Sequence, residues 1–343
     1  MLSTPCIARL KHHFPEATLD MLVAPRAATI VRGHPLLREV KLFDKRGQQS
    51  GIRGLWRMAQ ELRREQYDLA LSLHKSYRSA ALLWLARIPR RIGFKEAAAG
   101  FLYTDRVSRS DLKHEVMRNA AIMRAFGEEP SPDQLAIGVY PPEAAQIAAK
   151  NHLAGLRRPV VGLAPGSVWL TKRWTEQGFA ELTKRLLSSG ASVVLLGGPE
   201  DQALGDFIAA DQLVEPVSGG ASEEDSSQFR NLSGKTAVAE SAALISDWDV
   251  LVTNDSAPLH LASAAKIPTV ALFCATIPEF GFGPWLSPHV ILGVENLACR
   301  PCGRHGGNAC PTGTHACRVG LLPQQVFDAV YGLLSPAREA SQR

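Results

Sequence analysis

The feature that most constrains this chain is a rhythm of short apolar runs separated by amphipathic stretches. Residues 19–23, 40–43, 67–73, 91–94, 159–164, 191–196, 250–253 and 269–273 read as strands. Residues 6–14, 52–65, 79–86, 114–126, 175–188, 238–245, 259–265 and 323–334 carry helical periodicity. Strands that alternate with helices call for parallel sheets covered on both faces. A chain of 343 residues exceeds what one core fills, so two domains are expected. The Pro- and Ala-rich stretch 128–158 is the expected boundary. Residues 1–155 then form an N-terminal domain and 156–335 a C-terminal one, with a Cys-rich loop at 299–317 and a frayed tail at 336–343. Residues 216–228 read as a Ser/Gly/Glu/Asp loop. The expectation is an α/β protein of two Rossmann-like domains facing a cleft, with ligands at the carboxyl ends of the strands.

At 45% hydrophobic and 21% charged residues, the composition excludes disordered and collagenous classes. No window reaches the roughly 18 uninterrupted apolar residues of a membrane span. The opening Met1-Leu-Ser-Thr-Pro-Cys6 has neither a basic nor an apolar leader region, so no secretion signal is expected. Charge is uneven. Residues 1–150 hold 24 Lys+Arg against 15 Asp+Glu, and the remainder 14 against 18, which sums to the net +5. A basic front half points to an anionic partner, or to a solvated basic surface.

Two turns could carry chemistry. After the strand at 159–164 the chain reads Pro165-Gly-Ser-Val-Trp-Leu-Thr-Lys-Arg-Trp174 ahead of a helix. Glycine, hydroxyls and Lys172 in such a turn suit a phosphate. The alternative is an ordinary turn with a solvated Lys-Arg pair. After the strand at 250–253, Asn254-Asp-Ser-Ala-Pro-Leu-His260 places Asp255 and Ser256 before a helix. Either could be a plain cap, or the helix start could face a diphosphate. His260 by itself is more often structural than catalytic. Four cysteines, Cys299, Cys302, Cys310 and Cys317, fall within nineteen residues. Thiolates so spaced could hold a structural Zn²⁺ or an iron–sulfur cluster, pack as free thiols, or pair as disulfides. His305 or His315 could replace one ligand.

These motifs recur in a recognisable order: Pro165-Gly-Ser with Lys172-Arg-Trp174, Leu196-Gly-Gly-Pro-Glu200, Asn231-Leu-Ser-Gly-Lys-Thr236, Thr253-Asn-Asp-Ser-Ala-Pro-Leu-His-Leu-Ala262, Pro268-Thr-Val-Ala-Leu-Phe273 and Thr276. Ser3-Thr-Pro, Phe14-Pro-Glu-Ala, Leu73-His-Lys-Ser-Tyr-Arg-Ser-Ala80, Arg91-Ile-Gly-Phe94, Arg118-Asn119 and the cysteine cluster with Pro311 and His315 agree. Over nearly the whole chain the set resembles the ADP-heptose:lipopolysaccharide heptosyltransferases of glycosyltransferase family 9. The resemblance implies a GT-B fold and an inverting transferase with no catalytic cofactor or metal. By position Ser167 and Lys172 would contact the donor diphosphate. Asp255, Ser256 and Ala257 would bind the sugar–phosphate end, with Glu200 and His260 also on the donor side. Lys75, Arg78, Arg91 and Lys95 would meet the acceptor. The implied partners are ADP-heptose, an anionic lipid-linked core oligosaccharide and the inner-membrane surface, in the cytoplasm and without nucleic acid. Alternatives are a family-9 transferase with another donor, or a catalytically dead binding protein. The family opens with a strand and a Gly-Asp turn whose Asp serves as general base. Here Thr4-Pro5 matches residues just beyond that turn, so the first strand of the N-terminal domain and the base are expected upstream of Met1. His74, Asp105 and His114 are weaker substitutes.

Overall fold

The computed structural model describes residues 1–45, 47–213 and 228–341. The chain divides into two compact units, Met1–Tyr140 and Pro141–Arg343. The first contains α1 (Pro5–His13), β1 (Asp20–Val23), α2 (Pro25–Ala28), β2 (Glu39–Leu42), α3 (Gly51–Arg64), β3 (Leu69–Leu71), α4 (Tyr77–Leu85), β4 (Arg90–Phe94), β5 (Asp105–Val107) and α5 (Glu115–Ala120). Its strands are parallel but make two separate sheets, β1-β2 and β3-β4-β5. The inner sides of α3 and α4 meet Phe43, Leu22 and Ala70 in one apolar cluster, so both sheets share that helical cover. On the other cluster, α1 supplies Cys6 and Leu10 against Ile92, Phe94, Val107 and Met123. The helix expected through residue 126 tightens after α5 into a 3-10 turn, Ala121–Phe126, and ends at Gly127, whose φ of 78° favours glycine.

The second unit contains α6 (Glu143–Leu153), β6 (Val160–Ala164), α7 (Glu176–Ser188), β7 (Ser192–Leu195), α8 (Gln202–Leu213), β8 (Phe229–Asn231), α9 (Val238–Ser246), β9 (Val250–Asn254), α10 (Ala257–Ala265), β10 (Thr269–Leu272), β11 (His289–Leu292), α11 (Ala316–Val319) and α12 (Pro323–Ser341). Its single six-stranded parallel sheet runs β8-β7-β6-β9-β10-β11. Every residue of β6, β7, β9 and β10 is buried, as continuous apolar runs covered on both faces must be. Gly162 in β6 makes room for Trp248, since a Cβ there would lie 1.9 Å from the indole.

Several expectations shift. The unit boundary falls at residues 140–141, earlier than 155, because α6 packs against α9 in the second unit. The frayed tail expected from 336 is helical through Ser341, in keeping with the helix-forming Ala337-Arg-Glu-Ala340. Of the loop expected at 216–228, residues 216–227 lie outside the described residues. Among the described residues no helix is long and apolar enough to cross a membrane.

Candidate active site

In the second unit the chain moves from β6 outward to β7 and β8, then crosses back to β9 on the other side. Such a reversal of strand order is where open α/β sheets bind ligands, beyond the carboxyl ends of the two central strands. Both turns singled out in the sequence lie there, because one follows β6 and the other follows β9.

Asn254, the fully buried last residue of β9, joins them. Its Nδ2 donates to the Pro165 carbonyl at 2.7 Å and its Oδ1 accepts the Trp174 N–H at 2.9 Å. The turn is therefore held at both ends by one side chain. Trp174 is anchored again by its indole N–H, which donates to the Leu321 carbonyl at 2.9 Å. Gly166 must lack a side chain, because a Cβ would stand 2.2 Å from the Asp201 carboxylate. Within the turn Ser167 is buried, and its carbonyl accepts Arg173 Nε at 2.7 Å.

Lys172 and Asp255 meet. Lys172 Nζ lies 2.6 Å from Asp255 Oδ2, and Thr276 Oγ1 donates to the same oxygen at 2.7 Å. Asp255 is buried, so the ammonium and the Thr276 hydroxyl replace water around its charge. Directly after it, Ser256 occupies the N-cap position of α10 but makes no side-chain cap bond; its hydroxyl faces Thr253 Oγ1 at 3.3 Å. Pro258 stands in the first turn of the helix, and Ala257 beside it is exposed. The positive end of the α10 dipole thus lies next to an ammonium, a combination that receives anions. His260 packs its ring beside Phe282, with centroids 6.5 Å apart.

Glu200 is exposed on the 3-10 turn Pro199–Asp201, whereas its neighbour Asp201 is buried. Asp201 Oδ2 accepts the Gly198 N–H at 3.1 Å and Oδ1 lies 3.5 Å from Arg173 Nη2. Burial raises its pKa, and the Gly198 N–H pulls the other way. Asn254, Asp201 and Thr276 are thus site residues that the sequence reading gave no role. Asn254 and Thr276 stand within the motif set without a role of their own, and Asp201 directly follows Leu196–Glu200. In the 231–236 segment, Gly234 N–H donates to the Gly197 carbonyl at 3.0 Å, which brings it beside the same strand end.

The first-unit residues separate into two kinds. Arg78 donates to the carbonyls of Lys45 and Gly51, and Arg91 donates to the carbonyl of Leu102 at 2.9 Å, so both guanidinium groups tie backbone. Lys75 and Lys95 are exposed after β3 and β4, and their loops meet where Ala98 N–H donates to the Lys75 carbonyl at 3.0 Å. The three substitute bases are structural. His74 Nδ1 accepts the Ser76 N–H, His114 Nδ1 accepts the Val116 N–H at the start of α5, and Asp105 pairs with Arg90 and Thr104.

Cys299, Cys302, Cys310 and Cys317 are free thiols. Among the described residues no group of three or more His, Cys, Asp or Glu is placed to hold a metal ion. Cys302 Sγ donates to the Cys299 carbonyl at 3.0 Å, and the Thr312 hydroxyl lowers the Cys310 pKa to about 7. The loop has a different anchorage: the Gly307 carbonyl accepts the Thr171 N–H at 3.0 Å, and the Gly307 N–H donates to Thr171 Oγ1 at 2.8 Å. It therefore clasps the turn that carries Lys172.

Known proteins resemble this chain over most of its length. The family model of glycosyltransferase family 9 (heptosyltransferase) matches residues 55–309. Lipopolysaccharide heptosyltransferase 2 of Salmonella typhimurium is 28% identical over 98% of this chain and 95% of its own length. Its Escherichia coli K12 counterpart is 27% identical over 97% and 94%. The structure of E. coli ADP-heptose lipopolysaccharide heptosyltransferase II superposes with a TM-score of 0.78 at 24% identity, covering 98% of this chain and 95% of that one. The family 9 glycosyltransferase of Veillonella parvula superposes at 0.81 with 22% identity, covering 98% and 93%. These likenesses are of fold, and the fold is the GT-B architecture. With the family's pattern spanning well over half the sequence and its motifs gathered at one strand reversal, the chain belongs to glycosyltransferase family 9.

Proposed function

We propose that this glycosyltransferase moves heptose from ADP-heptose to a lipopolysaccharide core sugar at the cytoplasmic side of the inner membrane. The observation that carries the reading is the Lys172–Asp255–Thr276 group at the start of α10. A nucleoside diphosphate leaving group develops charge as the glycosidic bond breaks. Lys172 and the α10 dipole meet that charge without a metal. Asp255 orients the ammonium through one oxygen and offers its other acceptor positions to sugar hydroxyls. Ser167 and Ala257 border the diphosphate, and residues 231–236 border the nucleoside. In the first unit Lys75 and Lys95 bind the anionic acceptor. No residue of this sequence is assigned as the base. The relatives' names, which give lipopolysaccharide heptosyl transfer and, for the E. coli structure, ADP-heptose, support the choice of donor and acceptor class.

The test is calorimetry with ADP. Lys172→Ala removes a charge-assisted hydrogen bond of about 1.5–3 kcal/mol and weakens ADP accordingly, roughly ten- to a hundredfold. Binding by the parent persists in EDTA. Equal affinity in mutant and parent, or a strict Mg²⁺ requirement, refutes the assignment.

A further inference from the structure

The outward side of α3 has a composition that the donor and acceptor readings leave unused. Its inward side, Leu55, Met58, Ala59 and Leu62, fills the apolar cluster shared with α4. Its outward side presents Ile52, Arg53, Trp56, Arg57, Arg63 and Arg64, which recur at helical spacing and share one stripe. Ile52 is 86% exposed and Trp56 53%. Large apolar side chains in water are normal when scattered, but these two stand one turn apart between arginines. The side chains of Arg53, Arg57, Arg63 and Arg64 have no ion pair or hydrogen bond among the described residues. The helix carries a single acid, Glu61, while Glu65 just beyond it is already paired with Arg38 and Lys41.

The neighbouring α4 also exposes aromatic side chains. Tyr77 and Trp84 are exposed two turns apart, and α3 and α4 pack side by side. Their carboxyl ends border one open hollow lined by Arg63, Tyr67, Asp68 and Arg87, which places two guanidinium groups at a common rim beside one carboxylate. Arg87 lies two residues beyond α4 and is exposed.

We infer that the outward faces of α3 and α4 form a docking surface for an anionic phospholipid bilayer. Tryptophan and tyrosine prefer the headgroup level, where an apolar ring and a polar N–H or O–H are both accommodated. Arginines along the same stripe meet lipid phosphates, and Ile52 and Trp56 enter the acyl boundary, the arrangement of an interfacial helix. Two adjacent helix ridges suit an extended surface better than a peptide, which would need a groove. The inference stands on the chemistry of this face and not on the identity of the transferred sugar.

The experiment is co-sedimentation of the full chain with vesicles of phosphatidylglycerol and phosphatidylcholine, against pure phosphatidylcholine, in buffer free of nucleotide and sugar acceptor. The parent binds the anionic vesicles and releases them as salt rises. Arg53→Glu with Arg57→Glu, and separately Ile52→Ser with Trp56→Ser, each lower the partition at least tenfold while far-UV circular dichroism and melting stay at parent values. Lys172→Ala binds vesicles like the parent, which separates this surface from the donor site. No vesicle binding by the parent overturns the inference, and so does unchanged binding by either double variant. A parent that instead binds phosphatidylcholine equally well also overturns it.

Discussion

The two units solve the same topological problem with different completeness. In the second, β6 lies at the centre and bonds to β7 on one side and β9 on the other, so six strands form one sheet. In the first, the strands that would flank such a centre, β1 and β3, are not bonded to each other, and the sheet is two sheets. Placing a strand between them would give the order β2-β1-x-β3-β4-β5, the pattern of the second unit. Burial follows the same division. The central strands of the second unit are buried throughout, whereas β1 and β3 are only half-buried along their whole lengths. A parallel sheet that is interrupted keeps its helical cover but loses the mutual shielding of adjacent strands.

The largest test of this comparison is a matched pair of truncations. Leu163→Ala, in fully buried β6, should cost about 3–4 kcal/mol, within the usual range for a core leucine. Leu71→Ala, on half-buried β3, should cost only about 1 kcal/mol. Denaturant melting of the two variants measures both, and equal losses would erase the distinction between the units. A smaller effect should come from completing the first sheet. A designed strand of alternating β-branched residues, fused ahead of Met1, should raise the unfolding midpoint of the first unit by about 1–2 kcal/mol equivalent. A scrambled, glycine-rich fusion of the same length should not. The smallest effect is on pH dependence. Burial lowers the pKa of His34 and His74, and each neutral ring accepts a backbone N–H at Nδ1, from Leu36 and Ser76. Neutral rings are favoured only in the folded state. Their contribution is therefore present above the unfolded pKa near 6.5 and is lost as pH falls below it through the lower folded values. Melting temperature should decline over that window, and His34→Gln with His74→Gln should flatten the decline.

What the sequence disclosed follows the same line of completeness. The strands of the second unit that lie between other strands are uninterrupted apolar runs, and β6, β7, β9 and β10 were all legible. The edge strands β8 and β11 were not, because Phe229-Arg-Asn231 is short, polar and only half-buried, and His289-Val-Ile-Leu292 alternates between exposed and half-buried residues. The short β5, Asp105-Arg-Val107, was hidden for the same reason. Helix α6 was hidden inside the Pro- and Ala-rich stretch 128–158, where the flanking prolines mask a helix that packs on α9. At the site, the turns were legible because glycine, proline and hydroxyl residues cluster before helices. The bond from Asn254 to Pro165 was not, since it spans 89 positions and no local period reports it. The pairing of Lys172 with Asp255 was likewise beyond local pattern, although both residues were named as donor contacts.

That pairing bears on how product leaves. In the resting protein the ammonium is already neutralised by Asp255, so on the donor assignment proposed above an incoming diphosphate would take a cation that has a prior claim on it. When ADP-heptose binds, hydroxyls of the sugar can take over the carboxylate that the ammonium relinquishes. On the same assignment, once the sugar has gone to the acceptor, ADP alone would hold Lys172 while Asp255 kept the Thr276 hydroxyl as its side-chain donor among the described residues. The ion pair then re-forms at the expense of the spent nucleotide, and the resting arrangement acts as a built-in competitor of product but not of donor. Asp255→Asn removes that competitor, so it should bind ADP more tightly than the parent even as it binds the nucleotide sugar less well. Weaker ADP binding by that variant would show that the carboxylate holds the ammonium ready for the diphosphate and does not contend for it.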